Sequence, residues 1–87
     1  MAVLDLLPAF RGLLTNETER EAAVMFSQKA VEAELDKAIV SSRRTEAGFL
    51  KVVLEFPEDI DRLDWVTKLA WIAKDAEDKT GIHFILD

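Results

Sequence analysis

The sequence predicts an α+β fold in a single domain, residues 1–87: two N-terminal helices followed by a strand–helix–strand unit. Three observations predict it. Apolar residues recur at helical spacing through the N-terminal half; two short runs, 49–56 and 82–86, alternate as strands do; and a capped helical stretch lies between those runs. With 49% hydrophobic and 32% charged residues the chain has the composition of a folded protein. A chain of 87 residues buries only about 60–65% of its unfolded surface, so its core is small and gains from added packing.

The first helix is expected over 3–14. Val3, Leu7, Phe10 and Leu14 fall on one face with Leu6 and Leu13 beside them, and Pro8 starts or kinks the helix. Asp5 and Arg11 are its only charges, so this segment either completes the core or fills a partner's groove. The second helix is expected over 17–41. Asn16 with Glu19 has capping-box spacing, and Glu17, Glu19 and Glu21 suit the positive end of the helix dipole. Val24, Val31, Leu35, Ala38 and Ile39 form its main apolar stripe. Ala22, Ala23, Phe26, Ala30 and Ala33 form a second, small-residue strip, which makes Phe26 and Ala30 candidates for close contact with another helix, including one from a partner. Residues 41–48 are polar and read as the helix end and a loop.

Leu50, Val52, Leu54 and Phe56 form one face of the strand over 49–56; Phe49, Lys51, Val53 and Glu55 form the other, and Pro57 ends it. Asp59 caps a helix over 59–79 whose face is Trp65, Val66, Leu69, Ile72, Ala73 and Ala76, and Thr80-Gly81 is a C-cap signal. The strand over 82–86 carries Ile82, Phe84 and Leu86 on one face. The two strands should pair in parallel across the helical crossover. Two strands make a poor sheet, so the sheet is expected to be completed by dimerisation or covered by the first two helices.

The catalytic inventory is thin. There is no Cys, no Tyr and one His, and Gly12, Gly48 and Gly81 are isolated, so no nucleophile, metal-ligand or phosphate-cradling pattern appears. No catalytic residue, cofactor or metal site is therefore expected. A net charge of −6, from 17 acidic against 11 basic residues, weighs against binding nucleic acid or an anionic membrane. No apolar run is long enough for a membrane span. The N-terminus lacks the pattern of a secretory signal, which makes the cytoplasm the expected location.

Several residues remain as candidates. Trp71 points about 160° away from Leu69, the centre of its helix's apolar face, among Thr67, Lys68, Lys74 and Asp75. A tryptophan there is an interface anchor or lies under one of the first two helices. Arg43 and Arg44, the only basic pair, suit a helix C-terminus or the acidic residues of a partner, such as the run 58–64. That run, from Glu58 and Asp59 to Asp61 and Asp64, is the acidic start of a helix before it is a cation site. His83 lies on the strand face that carries Lys51 and Glu55, a possible general base oriented by Glu55.

These features favour a non-enzymatic protein–protein interaction protein: a small homodimeric adaptor, regulator or subunit, with Trp71, Lys68, Phe26, Ala30, Arg43 and Arg44 as interface candidates. The alternative is a ligand-binding or enzymatic dimer with an intersubunit cleft near His83, Lys51 and Glu55. A third possibility is an acidic decoy that mimics nucleic acid, for which the net charge is modest and the lysines too interspersed.

Overall fold

Asn16 starts the first long helix. Its backbone is extended, and its side-chain Oδ1 accepts from the Glu19 amide at 2.9 Å. The Glu19 carboxylate reaches back to the amide and hydroxyl of Thr15 at 3.0 and 2.9 Å. From this cap α1 runs over Glu17–Glu32. The computed structural model describes residues 6–87 and continues with β1 (Ile39–Arg44), β2 (Leu50–Leu54), α2 (Arg62–Thr80) and β3 (Phe84–Leu86). Short 3-10 turns occupy Pro8–Phe10 and Asp36–Ala38. The fold is α+β, with two helices and one mixed three-stranded sheet in the order β1-β2-β3 among the described residues.

β2 and β3 pair in parallel, Leu50 opposite Phe84 and Val52 opposite Leu86, with α2 as the crossover. β1 pairs antiparallel with β2 as a hairpin. The third strand is thus supplied from within the chain, from residues read as the end of the long helix. That helix stops at Glu32 rather than at 41. Glu34 takes φ 60°, its amide bonds to Val31 O at 3.0 Å, and the Leu35 amide bonds to Ala30 O at 2.8 Å. This is a Schellman ending with glutamate where glycine is usual. Buried Leu35 and Ala30 join the core beside it.

The first expected helix is reduced to the turn at Pro8–Phe10, and the part of it before Leu6 lies outside the described residues. Pro8 stands at the start of that turn, where its missing N–H costs nothing. α2 begins at Arg62 with Asp61, not Asp59, as its cap: Asp61 Oδ1 accepts from the Asp64 amide at 3.2 Å. Gly81 ends it in the left-handed conformation, φ 80°.

The core lies between both helices and one face of the sheet. Phe10, Phe26 and Phe84 meet at its centre, with ring centroids 5.0 to 5.9 Å apart. Ala22, Ala23 and Ala30 of α1 bury there with Leu69, Ala73 and Ala76 of α2 and Leu50 and Val52 of β2. Phe26 and Ala30 are fully buried inside the chain, which corrects their expected role as interface residues. The two stripes of α1 exchange roles: the alanine strip faces the core, and Val31 of the expected main stripe is exposed.

The Glu19–Arg44 pair joins these elements. Arg44 donates to both carboxylate oxygens of Glu19, at 2.8 and 2.9 Å, and also to the carbonyls of Leu13 and Gly48 at 3.2 and 2.9 Å. The same guanidinium therefore holds the leading segment, α1 and the β1–β2 turn. It lowers the Glu19 carboxyl from 4.5 to about 2, chiefly through these hydrogen bonds; burial opposes the shift and the Thr15 amide and hydroxyl assist it.

Because the folded-state value lies below the unfolded one, this pair's contribution to stability is complete above pH 4.5 and is lost as pH falls from there toward 2. Glu19→Gln is expected to lower the denaturation midpoint near neutral pH and to flatten the acid dependence across that window, measured by urea titration at several pH values. Glu34→Gly relieves the left-handed backbone at α1's end. It should raise stability by about 0.5–1 kcal/mol after glycine's larger unfolded-state entropy is deducted, read from the same midpoint.

Candidate interaction surface

α2 presents two apolar sides. Leu69, Ala73 and Ala76 are buried against the core. On the outer side Leu63, Val66, Ala70, Trp71 and Lys74 follow one another at helical spacing. Leu63 is 77% exposed and Trp71 67% exposed, the two most exposed large apolar side chains among the described residues. No part of α1 covers Trp71. Its indole stands between two surface grooves. One, of about 440 Å³, lies between the helices and is lined by Lys29, Glu32, Ala33, Lys68, Trp71 and Ile72. The other, of about 290 Å³, is lined by Val66, Thr67, Ala70, Trp71 and Lys74.

Ala70 and Lys74 also line a third hollow of about 250 Å³, between α2 and β3, with Glu77, His83, Phe84 and Leu86. The outer side of α2 is thus continuous with the free edge of the sheet. Its charges are matched within the helix: Lys68 with Asp64 at 2.9 Å, Lys74 with Asp78 at 3.6 Å, and Lys79 with Asp75 at 3.3 Å. Exposed pairs of this kind add little to stability, but they leave an apolar strip bordered by balanced charge in a chain of net charge −6.

The remaining candidates are dispersed. Arg44 is committed to Glu19 and two carbonyls inside the chain, so it is structural rather than an interface residue. Arg43 is exposed on β1, directly opposite Lys51 on β2. His83 pairs with Glu77, Nδ1 to Oε1 at 3.2 Å, and its ring stands edge-on to Phe49 at 5.5 Å. Lys51 reaches Asp87 at 3.3 Å. Glu55 uses its amide to bond Ala38 O, and its side chain is partner to neither His83 nor Lys51. The structure therefore replaces the expected His83–Lys51–Glu55 cluster with two separate pairs. In the acidic run, Asp61 caps α2, and no group of three or more potential metal ligands gathers among the described residues.

Sequence reasoning singled out Trp71 but missed Leu63, Val66 and Ala70 as its companions. The apolar periodicity puts Val66 on the core side and gives Leu63 and Ala70 no place in either stripe. At 100° per residue Leu63 falls about 80° and Ala70 about 100° from Trp71 on the same flank, so their signal was present; Val66 falls about 140° away, beside the core face, and only the groove that it lines with Trp71 makes it a companion. No family model, curated protein or solved structure matches the chain.

The cross-strand Arg43–Lys51 pair opposes like charges. Arg43→Glu is expected to turn that repulsion into attraction and to stabilise the fold by about 0.2–1 kcal/mol, measured as a rise in the urea midpoint at low salt that shrinks at high salt.

Proposed function

We propose that this chain is a non-enzymatic protein–protein interaction protein that works as a small cytoplasmic homodimer, in the manner of an adaptor, regulator or subunit, and that the outer side of α2 is its contact surface. The single observation that supports the reading is the exposure of Trp71 beside Leu63 on a helix whose other side already fills the core. Tryptophan carries more apolar area than any other side chain and is enriched among the residues that dominate binding energy. Grooves on both sides of the indole give a partner's side chains somewhere to sit. Balanced charge around the strip lets two acidic copies meet there without like-charge repulsion at the contact.

Trp71→Ala is expected to weaken self-association about 30-fold, the loss of a hot-spot contact worth about 2 kcal/mol, while leaving the monomer's fold intact. Sedimentation equilibrium across a concentration series reads the first effect and far-UV circular dichroism the second. A wild-type chain that stays monomeric throughout, or a variant that associates as wild type does, would overturn the reading.

A further inference from the structure

Among the described residues β3 is an edge strand, hydrogen-bonded to β2 on one side only. The direction of its backbone groups follows from two bonds. Asp87 donates its N–H to Val52 O at 2.9 Å and accepts at its carbonyl from the Leu54 amide at 3.0 Å, so both groups of Asp87 face β2. Backbone direction alternates along a strand, so Ile85 also faces β2, while Phe84 and Leu86 present N–H and C=O to the open edge. Such an edge is a template for another strand.

We infer that two copies join along β3, antiparallel and centred on Ile85, to form one continuous six-stranded sheet. This deepens the self-association proposed above and rests on it. In that register Phe84 faces the partner's Leu86, and the outward groups of the two residues exchange two hydrogen bonds; symmetry repeats the pair, making four. Ile85 meets the partner's Ile85 on the two-fold axis. His83 meets the partner's Asp87, an imidazole opposite a carboxylate, with Nε2 left for it because Nδ1 is turned to Glu77. Every cross-strand pair is then apolar with apolar or polar with acid. A shift by one residue would set Ile85 against the partner's Phe84 or Leu86 and put open-face side chains opposite core-face ones.

The register also agrees with α2. Ala70 and Lys74 line the hollow above the β3 edge, so joining the edges turns the outer sides of the two α2 helices toward each other, antiparallel across the same axis. Ala70 is small enough for close approach, and Leu63 and Val66 flank it. One symmetric contact thus covers both the unpaired edge and the flank of α2 that carries Leu63, Val66 and Ala70.

The test uses the full chain, which has no native cysteine. A non-hydrogen-bonded antiparallel pair places its Cα atoms about 4.5 Å apart, inside the window of about 4.4–6.8 Å for a disulfide. Ile85→Cys is therefore expected to give a disulfide-linked dimer as its main product under mild oxidation, and Phe49→Cys, on the same sheet face but off the axis, to give none. Hydrogen exchange on the unaltered chain provides a second reading that does not depend on the variant folding. The amides of Phe84 and Leu86 should slow about 15-fold when the total protein is raised to about 100 times its dimer Kd, where about 7% of the chains remain monomeric. A dimer whose Phe84 and Leu86 amides exchange equally fast at all concentrations overturns the β3 register and leaves the α2 contact standing. A chain that is monomeric at every concentration removes both.

Discussion

The architecture depends on where Arg44 puts its guanidinium. β1 is an exposed-edge strand with little apolar area of its own: Val40, Ser41 and Arg43 are exposed. What holds it to the body of the protein is polar. Arg44 grips both oxygens of Glu19 and the carbonyls of Leu13 and Gly48, and Ser42 Oγ donates to the carbonyl of Ala9. A second anchor, from the Leu7 amide to the buried Ser27 hydroxyl at 3.1 Å, ties the leading segment to α1. Through these bonds a segment with only a single turn of regular structure is held over Phe26 and Phe84, and the aromatic centre of the core closes around Phe10.

The strand–helix–strand unit was legible because each of its parts obeys a local rule. Leu50 and Val52 alternate with Lys51 and Val53; Trp65, Leu69, Ile72 and Ala76 repeat at helical spacing; Gly81 follows Thr80 as a C-cap should. β1 was not legible, for two physical reasons. Its helix–strand boundary is marked by Glu34 in the left-handed conformation, where sequence reasoning looks for glycine or asparagine. Its alternation is broken by a bulge between Ile39 and Ser41, so Ile39 reads as a continuation of the helical stripe. The reversal of α1's two stripes has the same origin. When 33–41 is counted as helix, Leu35, Ala38 and Ile39 add weight to the wrong side. Capping by Asn16 was readable, whereas the partner of Arg44 lies 25 residues away, beyond any local pattern.

The candidate surface was half legible. Trp71 stood out because a large aromatic among charges has no local reason to be there, but its companions are ordinary residues whose meaning depends on which side the core takes. The Glu19 carboxylate, which reads as one more favourable charge at a helix start, proves to be the buried member of a bidentate pair. The polar candidates His83 and Lys51 found partners in Glu77 and Asp87, neither of which strand alternation alone could nominate.

The order of pairing in the sheet also sets an order in time. β1 and β2 are joined by a short turn in which the Gly48 amide bonds Thr45 O and the Thr45 amide bonds Phe49 O, so their contacts close at little entropic cost. β2 and β3 are separated by the whole of α2 and must await its formation and docking. During folding, then, it is the inner strand that passes through a half-paired stage: β2, already joined to β1, keeps its other edge open until β3 arrives to cover it. A nascent chain is most vulnerable to wrong pairing in that interval, and the speed with which α2 consolidates, through Asp61 at one end and Gly81 at the other, governs how long the interval lasts.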